Sequence, residues 1–246
     1  MSRGLNRSLL VASIAALLVA GTRAEPLSST EAPAILQRFL ALDAPAPSQC
    51  RALRHLEARN EKFEKDAWMD VWTEADASGF RYRIVAEEGS EYIRSKVFRA
   101  SLEAERKLWA AGTSDKAALT PANYVFEDRG AQSDGLTSVG MTPRRQDVLL
   151  VNGTMFLNPD NGELVRMEGR LSKAPSFWTR HVKIVRWYRR IAGFQMPTVL
   201  ESEANVRVAG LSTFRMSYDY ESINGQHVGN PQPRMLARAS TAPHER

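Results

Sequence analysis

The second half of the chain is an almost unbroken series of short β-forming segments, and this feature limits the fold more than any other. The candidate strands are residues 122–127, 135–142, 147–151, 154–158, 163–171, 179–188, 196–208 and 213–222. The turn sequences between them include Asn152-Gly153, Asn161-Gly162, Ala209-Gly210 and Asn224-Gly225. Because no helical pattern separates these strands, the sequence indicates an antiparallel sheet and not a set of β-α-β units.

A β-hairpin is predicted ahead of this series. Residues 80–84 alternate apolar and charged side chains with a period of two, and a DASG turn precedes them. The region before the turn, residues 51–75, is ambiguous. Leu53 and Leu56 suit a helical face, whereas the tryptophans and the valine that follow are strand formers. We predict a strand only for residues 67–74.

Two helices are predicted in addition to the strands. A short one opens the domain after Thr30, which can cap it, and a longer one runs from Ser90 to a glycine stop at Gly112. The apolar stripe predicted for the longer helix is Ile93, Val97, Ala100, Ala104 and Leu108. Together the elements predict a mainly β fold of the α+β class, in which the helices pack on one face of the sheet.

The first residues have the pattern of a secretory signal peptide. Arg3 and Arg7 precede an apolar run of twelve residues, which is too short to span a bilayer, and a small-x-small site ends at Ala24. The two arginines are not adjacent and no cysteine follows the run, so we expect a Sec-type signal without lipid attachment. The prediction is a periplasmic protein with a signal peptide at 1–24, a domain at 25–225 and a disordered tail at 226–246.

The net charge and the cysteine content give no support for a polyanionic partner and exclude an internal disulfide. Loss of Arg3, Arg7 and Arg23 with the signal lowers the formal net charge from +5 to about +2, which gives no support for a polyanionic partner. Cys50 is the only cysteine, so the chain forms no internal disulfide.

Motifs for catalysis and metal binding do not occur in the sequence. The histidines, which belong to no HExxH or CxxC-type pattern, are His55, His181, His227 and His244. There is no GxSxG elbow, SxxK motif or phosphate-binding glycine loop. Acidic pairs such as Glu201 and Glu203 alternate along a strand, as they do on a solvated face. We therefore predict no enzyme activity, no metal and no cofactor.

The segment PSFWTRHVKIVRWYRRIAGFQMPT, residues 175–198, combines aromatic and basic side chains. Read as a strand, one face has Trp178, Arg180, Val182, Ile184, Arg186 and Tyr188, and the other has His181, Lys183, Val185, Trp187 and Arg189. The candidate cross-strand partners are Glu201, Glu203, Asp219 and Glu221. Because the basic residues lie on both faces, we interpret the segment as a polar sheet exterior. A contact with the membrane surface is the alternative, and export argues against a nucleic-acid partner.

The order of elements resembles that of the lipoprotein-carrier (LolA/LolB-like) superfamily, which includes periplasmic lipoprotein-sorting proteins and the sensor domain of an envelope-stress regulator. Local similarities are LVRMEGRL at 164–171, IAGFQMP at 191–197 and FRMSYDYESING at 214–225. The resemblance implies an incomplete antiparallel β-barrel of about ten strands whose concave apolar face is covered by helices. It also implies a strand arginine that keeps the helical lid closed, but assigns no position to it.

The resemblance further implies a ligand: a lipid or the acyl chains of a lipoprotein. The lining that it implies is Phe80, Tyr82, Ile84, Leu200, Val206, Phe214, Met216, Tyr218 and Tyr220. The alternative for each of these residues is ordinary packing against the helices. The predicted function is a periplasmic carrier without catalysis. The alternatives are an envelope protein-interaction or sensor domain with the same fold and a hydrolase that uses carboxylates or His181 in the cleft.

Overall fold

The computed structural model describes residues 34–42, 46–175, 179–207 and 210–234, and the predicted signal peptide lies outside these ranges. The described residues form one antiparallel sheet and a few helices. The strands are β1 (Cys50–Asn60), β2 (Lys65–Asp76), β3 (Gly79–Gly89), β4 (Tyr124–Ala131), β5 (Thr137–Pro143), β6 (Val151–Leu157), β7 (Leu164–Leu171), β8 (Thr179–Ile191), β9 (Phe194–Val206), β10 (Gly210–Ile223) and β11 (Gln226–His227).

The strands follow the order β3-β2-β1-β10-β9-β8-β7-β6-β5-β4, and β11 pairs with β10. Most neighbours in the sheet are also neighbours in the sequence, as in a chain of hairpins. The exception is the pairing of β1 with β10, which aligns Leu56 with Met216 and Arg54 with Tyr218. The sheet does not close, and its two ends are β3 and β4.

A single hydrophobic core lies on one face of this sheet, which we call the inner face. The core extends from Phe80 on β3 to Tyr124 on β4, so the sheet curls around it. The mainly β, incomplete antiparallel barrel predicted from the sequence is confirmed.

Helical segments cover the inner face. The helix α1 (Ala34–Ala41) places Leu36 in the core and lies against the β6–β7 turn, where the Arg38 guanidinium donates to the carbonyl oxygen of Pro159 at 2.9 Å. Residues 91–110 form one joined helix, which we call the covering helix. Its parts are Glu91–Ile93, a π-helical segment Arg94–Arg99 and Ala100–Ala110.

The π-helical segment changes which residues of the covering helix face the core. The buried residues are Ile93, Phe98, Ser101, Leu102 and Glu105. The predicted stripe is correct at Ile93 and at Val97, which packs half-buried against the core, and wrong from Ala100 on. The reason is that a π turn adds one residue and moves the buried face by one position.

Strand β1 corrects the ambiguous prediction for residues 51–66. Leu53 and Leu56 are both fully buried, but they lie on opposite faces of a strand and not on one face of a helix. The inner-face positions of β1 include Arg54, whose charge hides the alternation that identifies a strand from sequence. The predicted strand at 67–74 is confirmed and extends to Lys65–Asp76.

The Asn152-Gly153 turn and the separate strand at 147–151 are wrong. Gly153 lies inside β6 and pairs with Gly169 of β7, and a Cβ atom on Gly153 would collide with the carbonyl oxygen of Glu168. The glycine thus permits a close approach of two strands. Residues 147–150 instead form a turn, in which the Asp147 carboxylate accepts from the backbone N–H of Leu149 at 3.0 Å.

The segment after Gly225, for which a frayed tail is predicted, is described as far as Arg234. Its first residues form β11, and the Val228 N–H donates to the Glu221 carbonyl oxygen at 2.9 Å. Arg234 reaches the outer face of β1 and β2, where its Nη1 lies 2.7 Å from Glu57 Oε1. Residues 235–246 lie outside the described ranges.

None of the helices in the described part of the chain has both the length and the apolar character that crossing a bilayer requires.

Candidate ligand-binding site

The nine residues predicted to line a ligand site all lie on the inner face. On β3, Phe80, Tyr82 and Ile84 pair with inner-face positions of β2. The aromatic and methionine side chains of β10 pair with Ala58, Leu56, Arg54 and Ala52 of β1, and Leu200 and Val206 of β9 lie beside β10 on its other side. The structure thus places them on a surface that spans β3, β2, β1, β10 and β9.

Burial divides these nine residues into two groups. Those with less than a tenth of their surface exposed are Phe80, Leu200, Val206, Met216, Tyr218 and Tyr220. Tyr82, Ile84 and Phe214 are partly exposed and pack against the core from its margin. Phe214 also contacts Phe98 of the covering helix, with 6.1 Å between the ring centroids. Phe214 therefore lies between the sheet and the covering helix. This position fits an ordinary core residue and a residue that lines a ligand site equally well.

Methionine is unusually frequent in the core. Of the eight methionines in the chain, the core contains Met69, Met141, Met155, Met167, Met196 and Met216. Methionine side chains are flexible and polarisable, and they adapt to surfaces of different shape. No periodic pattern in the sequence indicates this composition, because the six residues lie on six different strands.

A buried ion pair joins the covering helix to the centre of the sheet. Arg54 of β1 donates to both carboxylate oxygens of Glu105, at 2.6 and 2.9 Å. Both residues are buried, with 7% of Arg54 and 2% of Glu105 exposed. Burial lowers the pKa of Arg54, but the carboxylate of Glu105 more than offsets this effect, so the pKa is raised and the guanidinium stays charged.

Aromatic rings flank the Arg54 guanidinium. Its central carbon lies 5.1 Å from the ring centroid of Phe80 and 4.9 Å from that of Tyr218. Cation–π contacts of this kind are strongest where water is excluded. Two predicted lining residues therefore serve to hold a charged group, which the sequence did not indicate.

Arg186 of β8 is a second buried arginine on the inner face, with 1% of its surface exposed. It hydrogen-bonds to Tyr188 and interacts electrostatically with Tyr218 and Glu105. Burial raises the pKa of Tyr188 and of Tyr218, so both phenols stay protonated. The sequence placed Arg186 on the same face as Ile184 and Tyr188, and that position among apolar residues was the available signal for its burial.

Further polar contacts fix the covering helix to β3. Glu87 accepts from Arg94 at 2.9 Å and from Arg99 at 2.7 Å. Tyr82 donates its hydroxyl hydrogen to Glu103 at 2.7 Å, and burial together with this hydrogen bond raises the pKa of Tyr82 to about 12. The covering helix is thus attached to β1 and β3 by side-chain contacts between charged or polar groups.

The outer face has a different polar cluster, centred on His55. Its Nδ1 lies 2.8 Å from Asp70 Oδ1 and its Nε2 lies 3.0 Å from Asp219 Oδ2. Hydrogen bonds to Asp219 and Asp70 raise the pKa of His55 to about 9, so the ring is a cation at neutral pH. Arg234 adds a backbone N–H that donates to Asp70 at 2.6 Å. This cluster ties β1, β2, β10 and the C-terminal segment together.

The basic and aromatic segment 175–198 divides between the two faces as predicted. Lys183, Trp187 and Arg189 are exposed, whereas Val182 and Tyr188 are buried. Trp178 and the side chains of Arg180 and His181 lie outside the described part of the structure.

Of the four acidic residues predicted as cross-strand partners of this segment, Glu203 pairs with it, through Lys183. The other three predictions are wrong, because β10 and β1 supply the partners: Arg215 for Glu201, His55 for Asp219 and Arg51 for Glu221. On β7 the Arg166 guanidinium lies between the rings of Phe156 and Trp187, at 4.1 and 5.1 Å. The outward-facing residues of this segment thus belong to a polar exterior, whereas Arg186 lies on the inner face with Val182, Ile184 and Tyr188.

Metal binding finds no support in the described residues, where no three His, Cys, Asp or Glu side chains cluster as metal ligands would. What the inner face offers is apolar area, adaptable methionines, buried tyrosines and two buried guanidinium groups. This arrangement can bind an apolar molecule and interact with a charged group on it.

The geometry defines a class of protein: an open antiparallel barrel whose apolar inner face is covered by a joined helix. No family model and no curated protein matches the sequence.

Solved structures that are similar to this chain have low sequence identity to it. A putative outer membrane lipoprotein-sorting protein domain from Vibrio parahaemolyticus is 9% identical, with a TM-score of 0.43 over 84% of this chain and 96% of that one. A LolA-superfamily protein from Nitrosomonas europaea is 10% identical, with a TM-score of 0.38 over 82% and 94%. A DUF1329-family protein from Desulfovibrio piger is 9% identical, with a TM-score of 0.36 over 75% and 88%.

Proposed function

We propose that this protein binds a hydrophobic ligand, a lipid or the acyl chains of a lipoprotein, between the inner face and the covering helix, and that it carries this ligand through the bacterial periplasm without catalysis. The observation that supports the proposal most is the composition of the inner face. It combines a broad apolar surface with core methionines under a helix that polar side chains attach to the sheet.

The covering helix is the element that would admit the ligand. It packs Ile93, Phe98 and Leu102 into the core. Charged or polar pairs attach it further to the sheet: Glu87 with Arg94 and Arg99, Tyr82 with Glu103, and Arg54 with Glu105. Where such a pair is exposed, water replaces a lost contact, whereas at the buried Arg54–Glu105 pair a polar group of the ligand has to do so. The π-helical segment Arg94–Arg99 supports the same role, since π segments inside α-helices occur frequently at functional sites.

A probe of neutral charge tests the proposal. N-phenyl-1-naphthylamine is an uncharged dye whose fluorescence rises on entering apolar surroundings. The chain from Glu25 on should bind this dye and release it to amphiphiles that carry an alkyl chain. Phe214→Arg should weaken dye binding by about tenfold or more, because it places a charge between sheet and covering helix.

Phe63→Arg is the matched control, since Phe63 lies in the β1–β2 turn and is 52% exposed. This variant should bind the dye as the parent does. Circular dichroism and thermal unfolding of both variants would show that the fold survives. A well-folded parent chain that binds neither the dye nor an alkyl amphiphile would contradict the proposal, and the search would then turn to a protein partner in the envelope.

A further inference from the structure

Arg54 and Glu105 form a buried pair that joins the centre of the sheet to the covering helix. From its geometry we infer that Arg54 is the receptor for an anionic head group of the ligand, a carboxylate or a phosphate monoester, and that Glu105 occupies this receptor while the covering helix is closed. The inference rests on the proposed function and adds the chemical class of the ligand to it.

The position of the Arg54 guanidinium is fixed by its surroundings. In the sheet, Arg54 pairs with Val71 of β2 and with Tyr218 of β10, so β1 has a neighbouring strand on both sides. The rings of Phe80 and Tyr218 lie on the guanidinium and limit its movement. Its two Nη atoms face the Glu105 carboxylate at 2.6 and 2.9 Å, which is the two-pronged geometry that guanidinium offers to carboxylates and phosphates.

One hydrogen-bond donor of this receptor is not used by the protein. Arg54 is more than nine-tenths buried, and its Nε has no hydrogen-bond partner among the described residues. A buried donor without an acceptor is costly and rare in native proteins. A phosphate or carboxylate that approached from the Nε side could accept from Nε and Nη2, and it would compete with Glu105 for Nη2.

The two partners of the pair belong to different kinds of element. Arg54 is on a central strand, whereas Glu105 is on the covering helix. If the covering helix moves away, Glu105 leaves with it and a buried positive charge stays behind without its carboxylate. An isolated buried charge is strongly unfavourable. A neutral amphiphile cannot compensate this charge, but an anionic one can.

The charges around the Glu105 carboxylate favour an anion at its position. Arg186 lies on the same face, three strands from Arg54, and interacts electrostatically with Glu105. A negative group at the position of the Glu105 carboxylate therefore interacts with both guanidinium groups. Met216 Sδ lies 3.9 Å from Arg54 Nη1, so an alkyl chain that extends from the head group would meet the core methionines at once.

Displacement of N-phenyl-1-naphthylamine by four amphiphiles of equal chain length tests the inference. Dodecanoate, dodecyl phosphate, dodecanol and dodecylammonium differ only in the head group. At least one of the two anions should displace the dye at a concentration about tenfold or more below that of dodecanol, and dodecylammonium should be the weakest. The ratio between dodecanoate and dodecyl phosphate shows whether the head group is a carboxylate or a phosphate.

Variants of the pair connect this preference to Arg54. The double variant Arg54→Met/Glu105→Met replaces the ion pair by apolar side chains of similar length, which folded proteins often tolerate. It should still bind dodecanol but lose the preference for anions. Glu105→Gln removes the competing carboxylate and should tighten binding of the preferred anion by about tenfold. Arg170→Met, which removes an exposed arginine on the outer face of β7, should leave all four affinities unchanged.

The outcomes separate the two proposals. Dye binding without any preference for anions, or a preference that persists in the double variant, overturns the role of Arg54 and leaves the hydrophobic-ligand proposal standing. An unchanged affinity in Glu105→Gln contradicts the competition between Glu105 and the ligand. A parent chain that binds neither dye nor amphiphile overturns both.

Discussion

His55 illustrates how single residues hold the outer face of the sheet together. Its two ring nitrogens each face an aspartate, Asp70 on β2 and Asp219 on β10, so one cationic ring links three strands. Asp70 has no exposed side-chain surface and accepts in addition from the Arg234 N–H. A protonated imidazole is needed for both ring nitrogens to donate at once.

The charge of His55 predicts a pH-dependent contribution to stability. Its pKa rises from 6.5 to about 9 on folding, so the folded state binds the proton more tightly than the unfolded state does. The contribution is complete below about pH 6.5 and is lost as the pH rises through 9. It amounts to about 1–2 kcal/mol once solvent screening of the exposed Asp219 is allowed for.

Urea unfolding of the parent chain and of His55→Asn, at pH 6 and at pH 9.5, measures this contribution. The parent should exceed the variant in free energy of unfolding at pH 6, and the difference should shrink at pH 9.5. Taking the difference between parent and variant cancels the titration of other groups. A difference that does not change with pH would show that folding does not raise the pKa of His55.

At the scale of elements, the C-terminal segment 226–234 extends the sheet and completes the Asp70 site. Arg234 supplies a backbone N–H to Asp70, pairs with Glu57 at 2.7 Å and lies 5.7 Å from the Trp68 ring. A chain that ends after Gly225 loses these contacts while Asp70 stays on its strand. We expect it to be less stable than a chain that ends after Arg234, by about 1–3 kcal/mol.

Chemical denaturation of the two chains checks this expectation. Arg234→Ala in the longer chain is the matched variant, because it removes the guanidinium and keeps the N–H that donates to Asp70. Its stability should lie between those of the two chains. Equal stability of the two chains would mean that the segment contributes nothing to the fold.

Most elements could be predicted from local patterns, and the failures have local causes. Alternation and turn residues identified the hairpins from β2 to β3 and from β7 to β10. Arg54 interrupts the alternation of β1, so that strand stayed ambiguous. The π-helical segment rotates the buried face after Ile93, and a sequence pattern with a period of 3.6 cannot show such a change. Gly153 looks like a turn residue, but it is needed for close packing of β6 on β7.

At the scale of the whole molecule, the local patterns could not supply the pairing of β1 with β10. It joins Cys50 with Ile223 and therefore depends on contacts between the two ends of the domain. The Arg54–Glu105 pair could not be predicted for the same reason, because the fold brings together a strand and a helix that are far apart in the sequence. The apolar residues of the inner face could be predicted because they follow strand alternation, whereas the buried charges on that face could not.

Native mass spectrometry of the protein purified from a periplasmic extract would show whether the inner face holds a hydrophobic ligand. After gentle desolvation we expect a mass shift that corresponds to a bound lipid or acyl chain, and Phe214→Arg should lose this shift while Phe63→Arg keeps it. A parent protein that carries no such mass, and that takes up no alkyl amphiphile when one is added, would overturn the proposed function.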